Sequence, residues 1–237
     1  MPLLEVTGLR KRYGARVAVD GVSFTVERGE IFGVLGTNGA GKTTTVECLL
    51  GLRRPDGGTI SVLGLDPVTD RAALTRRVGV QLQESRLPAK LRVREAIELF
   101  ASFYPDPADV DVLLDRLDLR AHARSAFGKL SGGQKQRVSI ALALVGNPEL
   151  AILDELTTGL DPHARRETWR LVEGVRDAGV TVLLVTHFMA EAERLCDRVA
   201  VFDAGRVVAT GTPDELRAAA GASTLDDAFV SLTRSTR

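Results

Sequence analysis

Eight residues in the first fifth of the chain, Gly36-Thr37-Asn38-Gly39-Ala40-Gly41-Lys42-Thr43, carry the clearest chemistry. They fit the pattern G-x-x-x-x-G-K-[ST], in which glycines let the backbone curl so that several N–H groups converge on one anion. Gly36, Gly39 and Gly41 are the curling positions and Lys42 supplies a point charge. Thr37, Asn38 and Ala40 complete the loop, and Thr44 continues into a helix whose positive end adds to the cradle. Such a loop suits the β- and γ-phosphates of ATP, and a hydroxyl placed as that of Thr43 is the usual ligand of the accompanying Mg²⁺.

A second constellation lies more than a hundred residues later. The apolar run Leu150 to Leu153 ends in Asp154-Glu155. Two adjacent acids at the end of a buried strand are costly unless they do something. Asp154 is placed to hold a metal, directly or through water, and Glu155 to polarise an attacking water. Between the two constellations stands Leu130-Ser131-Gly132-Gly133-Gln134.

With these three motifs in this order, the chain resembles the ATP-binding cassette family over nearly its whole length. The resemblance implies an α/β fold with a P-loop NTPase (RecA-like) core, an N-terminal antiparallel β subdomain and an inserted α-helical subdomain. It implies one cassette, with residues 1–84 and 148–237 forming the nucleotide-binding core and residues 85–147 the helical part. It gives His187, which follows an apolar strand ending at Val185-Thr186, a place on the γ-phosphate. Gln83 matches the glutamine that links the core to the helical part and senses Mg²⁺ and water, with Gln81 as a competing candidate. Tyr13 matches the aromatic that stacks on adenine. Ser131, Gly132, Gly133 and Gln134, at the head of a helix, are expected to complete the nucleotide site of a second, head-to-tail copy, with Asp161 bridging the seam. His122 and His163 lack such a context and receive no role. Two positions depart from the family pattern, Thr37 and Leu156, where proline is usual. Leu156 is expected to loosen the turn after the acids.

The elements that position these residues follow from periodicity. Short β-like runs at Leu4 to Leu9, Val17 to Val19 and Val22 to Val26, separated by polar turns, predict an antiparallel sheet at the front. Ile31 to Leu35 predicts a buried strand feeding the phosphate loop, with a helix from Lys42 to Leu50 closed by Gly51. Val93, Ala96, Ile97 and Phe100 share one helical face, and Val112, Leu113 and Leu117 a second, after a break at Pro105 and Pro107. Ser131 is a suitable cap for the helix that Asn147-Pro148 stops. Leu150 to Leu153 and Val180 to Val185 read as buried strands on either side of a helix from Ala164 to Ala178. Val199 to Phe202 and Val207 to Thr210 read as a hairpin, and Leu225, Phe229 and Leu232 as a final helix.

The bulk properties set bounds. Thirty-one basic residues balance thirty-one acidic ones, so no global field draws the chain to nucleic acid. No apolar run approaches the roughly 20 residues a spanning helix needs, and the N-terminus lacks the pattern of a secretory signal. Cys48 and Cys196 are too few for a disulfide framework and read as inert thiols. The expectation is a cytoplasmic protein, peripheral on the inner face of the cell membrane through an integral membrane transporter subunit. It would be the ATP-hydrolysing subunit of a transporter, most like bacterial drug or antibiotic exporters. The stretch from Gln83 to Leu91 would receive a cytoplasmic helix of that partner. Two rivals stand beside it: a cassette ATPase of the iron–sulfur assembly type, working without a membrane partner, and a module that binds ATP without hydrolysing it.

Overall fold

The computed structural model of the chain describes residues 2–81 and 87–234. Gln83 and Arg86 therefore lie outside the described residues. In chain order the elements are β1 (Leu4–Tyr13), β2 (Arg16–Val26), β3 (Ile31–Gly36), α1 (Lys42–Leu49), β4 (Gly57–Val62), α2 (Arg71–Leu74), β5 (Val78–Gln81), α3 (Val93–Ala101), α4 (Val110–Arg116), α5 (Gly132–Leu144), β6 (Leu150–Asp154), α6 (Pro162–Asp177), β7 (Thr181–Thr186), α7 (Met189–Leu195), β8 (Arg198–Asp203), β9 (Arg206–Gly211), α8 (Pro213–Ala220) and α9 (Leu225–Arg234). Two compact units can be told apart, the first within Met1–Thr75 and Leu183–Arg237, the second within Arg76–Val182.

In the first unit β1 is the centre of an antiparallel sheet in the order β2-β1-β4. The two runs predicted at Val17 to Val19 and Val22 to Val26 form one strand, because the bulged register against β1 lets the chain pass through Gly21 without leaving the sheet. The unit's second sheet places β3 beside β8 in parallel register, and β9 closes it as the antiparallel partner of β8. Every residue of β3 is buried. Phe24 stacks on Phe32 with ring centroids 5.4 Å apart, joining the two sheets. Each large apolar side chain buried here is worth about 1.5–3 kcal/mol relative to exposure. The predicted hairpin turns at Ala204-Gly205, both with positive φ, as a tight two-residue turn requires.

In the second unit β5 pairs in parallel with β6, and every residue of β6 is buried. Helix α5 is buried on all sides from Val138 to Leu144, as suits a central helix. On α3 the predicted face holds, with Val93, Ala96 and Ile97 buried. On α4 it is turned: Leu113 and Leu114 are buried, whereas Val112 is 60% exposed. The carboxylate of Asp109 caps α4 by accepting from the N–H groups of Asp111 and Val112, and Leu117 completes the buried stripe with Leu113 and Leu114. Both cysteines are buried, and burial raises the Cys48 thiol to about 11 and Cys196 well above the ordinary range, which leaves both inert. Among the described residues no helix is long and apolar enough to cross a membrane.

Candidate functional site

The first unit holds the phosphate loop. Strand β3 ends at Gly36, five residues turn, and α1 begins at Lys42. At Gly41 φ is +99°, and a Cβ there would sit 2.5 Å from the carbonyl oxygen of Ala18. At Gly36 a Cβ would sit 2.6 Å from the carbonyl of Phe202. The loop is thus held against β2 and β8 at backbone distance, which only glycine allows. Ala40 is buried and its N–H donates to the Thr37 carbonyl at 3.2 Å, while Thr37, Asn38 and Gly39 are exposed.

Helix α1 has no side-chain cap and no acid in its first turn. Its first N–H groups and its dipole therefore face the loop without a competing carboxylate. Lys42 is only 6% exposed, and its ammonium donates to the carbonyls of Gly36 at 2.7 Å and Thr37 at 3.0 Å, which folds it back over the loop. Thr45 ties into the helix by donating to the Gly41 carbonyl at 2.9 Å. That leaves Thr43, which is exposed, and Thr44, half-buried, as the hydroxyls not committed to the core. The loop thus combines a curled backbone, a buried ammonium and a helix N-terminus without a side-chain cap, a geometry suited to an anion.

Two further predicted residues belong to this unit. Tyr13 ends β1 and is 41% exposed, with Lys11 Nζ 5.8 Å and Arg53 Cζ 6.0 Å from its ring centre. Asp56 anchors this corner: it accepts from Lys11 at 2.9 Å, and that ammonium, with the Arg12 N–H, holds its carboxyl below the usual range. His187 follows β7, the strand beside β3 in the sheet, and its ring lies 4.1 Å from that of Phe188. Phe188 N–H donates to the Thr186 hydroxyl at 3.0 Å, which fixes the turn that presents the imidazole.

The second unit holds the acids and the Ser131 segment. Asp154 is 3% exposed, and its N–H donates to the side-chain oxygen of Gln81 at 3.2 Å. Gln81 is thereby tied into the β5–β6 pair. Glu155 has φ of +49°, a left-handed conformation that costs a non-glycine residue free energy. Leu156 does not loosen the turn. It is fully buried, and Thr158 N–H closes the turn on the Glu155 carbonyl at 3.2 Å, so the turn is held by an apolar anchor and a backbone hydrogen bond.

Ser131 caps α5 in a reciprocal arrangement. Its hydroxyl accepts from Gln134 N–H at 3.2 Å, and its own N–H donates to Gln134 Oε1 at 2.9 Å. Ser131 and Gly132 are exposed. Asp161 caps α6, accepting from the N–H groups of Ala164 at 3.0 Å and His163 at 2.9 Å, and these two donors hold its carboxyl below the usual range. Two residues without an assigned role join this region. His122 Nε2 lies 2.9 Å from Gln134 Nε2. Arg137 ties α5 to its surroundings through Asp118 at 2.6 Å and Glu167 at 2.8 Å. The S-x-x-Q spacing of a capping box was the available signal for Gln134; nothing local in the sequence points to His122.

A profile of the family described as "ABC transporter" matches residues 19–158. The chain belongs to the ABC transporter family. Its relatives include the Nod factor export ATP-binding protein I of Ralstonia nicotianae, 44% identical over 221 residues, covering 91% of this chain and 68% of that protein. The daunorubicin resistance ATP-binding protein DrrA3 of Streptomyces coeruleorubidus is 44% identical over 228 residues, covering 94% and 72%. A solved ATP-binding subunit of an ABC transporter superposes with a TM-score of 0.86 at 34% identity, covering 98% of this chain and 99% of that one. An ATP-binding cassette solved as a dimer in a post-hydrolysis state with ADP and Pi superposes with a TM-score of 0.77 at 25% identity, covering 88% and 98%. This cassette is accordingly an ATP-binding ATPase subunit, in which hydrolysis is coupled to transport. The antiparallel front sheet, α/β core and helical stretch expected of the sequence are those of an ABC cassette.

Proposed function

We propose that this cassette powers an exporter whose membrane-spanning subunits are separate chains, and that it works on the cytoplasmic face as a head-to-tail dimer of cassettes. The observation that carries the ATPase chemistry is the Lys42 ammonium held inside a curled loop at an uncapped helix N-terminus. The export direction is supported by the kinship with proteins named for Nod factor export and daunorubicin resistance. Residues 1–84 and 148–237 would act as the nucleotide-binding core and residues 85–147 as the helical part that moves with the partner.

In this reading Gly36 to Thr44 bind the phosphates, with backbone N–H groups and Lys42 opposing their charge. Tyr13 stacks on the adenine through its exposed face. Glu155 orients and polarises the attacking water from the turn that follows β6. His187 donates to the γ-phosphate, and Gln83 reports its presence to the helical part. Ser131, Gly132, Gly133 and Gln134 of one copy close the site of the other, and Asp161 lies at the seam. Oxygen donors suit Mg²⁺, and Thr43 and Asp154, with Gln83, supply that chemistry; when bound, the ion neutralises charge on the phosphates. The stretch from Gln83 to Leu91 receives a cytoplasmic helix of the membrane chain.

The test is Glu155→Gln, which keeps the shape and removes the base. ATP should then hold a stable dimer on gel filtration with turnover lowered by about a hundredfold or more. Full turnover in that variant would place the base elsewhere. Cross-linking from Lys90 in native membranes should capture an integral membrane protein; capture of none would favour the iron–sulfur type of cassette.

A further inference from the structure

The hydrogen bonds around Ser131 contain a constraint that reaches a histidine. The backbone N–H of Ser131 can only donate, so the atom of Gln134 facing it at 2.9 Å must be the carbonyl oxygen Oε1. The amide group of Gln134 therefore turns its NH₂ outward, and that NH₂ meets His122 Nε2 at 2.9 Å. Two donors cannot face each other at that distance, so His122 Nε2 carries a lone pair and the ring proton sits on Nδ1.

We infer that His122 is a positioning residue for Ser131: its neutral, Nδ1-protonated imidazole fixes the amide orientation of Gln134, and Gln134 in turn holds the Ser131 cap. This rests on the reading that Ser131 completes a nucleotide site. The scaffold behind His122 is firm. Its N–H donates to the Leu119 carbonyl at 2.9 Å and its carbonyl accepts from Ser125 at 2.8 Å, so the ring is delivered from a fixed turn. The ring lines a cavity of about 230 Å³ together with Ser131, Gly133 and Gln134. The charged groups facing the same cavity are Asp118 from the turn after α4, Arg137 from α5 and Glu167 from α6; His163 Nδ1 lies 3.5 Å from Glu167.

Protonation of His122 puts a donor against the Gln134 NH₂. The amide must then flip, which sets its NH₂ against the Ser131 N–H and opens the reciprocal cap. A lysine at position 122 imposes the same conflict at every pH. A glutamine there can present Oε1 near the place of Nε2 and accept whatever the pH.

The experiment compares parent, His122→Lys, His122→Gln and Ser131→Ala as purified full chains with Mg-ATP. His122→Lys should lower kcat about three- to tenfold, the factor carried by one hydrogen bond of ordinary strength, with the KM for ATP changed less than about twofold. His122→Gln, which keeps an acceptor at this place, should match the parent. Nitrogen NMR of the three histidines, with His122 assigned by its loss in His122→Gln, should show a bare Nε2 and a protonated Nδ1. A proton on Nε2 overturns the inference, and this measurement on the parent stands even if His122→Lys does not fold. So does a parent-like kcat for a folded His122→Lys while Ser131→Ala is impaired, and that result leaves the reading of Ser131 intact. Parent-like turnover in Ser131→Ala overturns the reading of Ser131 and the inference with it.

Discussion

Two helix N-termini in this cassette look alike in sequence, each rich in glycine, and are built for opposite situations. Helix α1 starts at a left-handed Gly41 with no side-chain cap and a buried lysine folded over its end. Helix α5 starts after an exposed Ser131, whose side chain and that of Gln134 accept from each other's N–H groups. The first has no side-chain cap on its N–H groups and relies on a glycine to take the left-handed turn. The second answers two of its own donors, those of Ser131 and Gln134, so it is braced as an exposed surface and adds its hydroxyl and dipole only when an anion is brought to it. The difference teaches that an anion site can be divided into a part that binds and a part that waits.

The comparison breaks most sharply at Lys42. Lys42→Ala removes the buried charge of the binding terminus, and turnover should fall by about two orders of magnitude or more, with far-ultraviolet circular dichroism unchanged. An active, folded Lys42→Ala would mean that the loop alone suffices. Next in size is Gly41→Ala, in which a left-handed backbone and a Cβ 2.5 Å from the Ala18 carbonyl meet. It should cost about 1–3 kcal/mol of stability, measured by urea unfolding, and abolish nucleotide binding with it. Ser131→Ala strikes the waiting terminus: about 1 kcal/mol of cap stability and most of the turnover should be lost, while equilibrium ATP binding by the separate chain stays near the parent value.

The smallest effect concerns Asp161. Two backbone donors hold its folded carboxyl below the ordinary range, so its contribution to stability is present above the unfolded pKa and disappears as pH falls through the folded one. Asp161→Ala should melt slightly below the parent at neutral pH, the two converging in acid, whereas Asp161→Asn, an equal cap, should follow the parent at neutral pH and hold its cap in acid. A gap that widens on acidification would contradict this.

How much of this was legible in advance depends on where the information resides. Gly36, Gly41 and Lys42 announce themselves because phosphate binding needs particular residue types at fixed spacing along one turn. The buried strands Ile31 to Gly36 and Leu150 to Asp154 show as unbroken apolar runs. Strand β4 was hidden, because Gly57-Gly58-Thr59 carries no apolar alternation and is made a strand by its pairing with β1. Helix α8 was hidden too, although Thr212 and Glu215 form a capping box that could have marked it. Val112 was misplaced because the helical spacing of α4 is carried by Leu113, Leu114 and Leu117, which leaves Val112 outside the stripe. At the site, the left-handed Glu155 and the contact of His122 with Gln134 depend on tertiary placement, which no local pattern encodes.

The claim that one terminus binds and the other waits for a second copy is tested most directly by mixing two inactive variants. Lys42→Ala keeps an intact Ser131 segment, and Ser131→Ala keeps an intact phosphate loop. A head-to-tail mixed dimer of the two contains one site with both parts whole. The ATPase activity of the mixture should therefore exceed the sum of the two variants measured apart, rising and then falling as their ratio passes through one to one. An activity equal to that sum at every ratio, with mixed dimers demonstrated by differential tagging, would contradict the account.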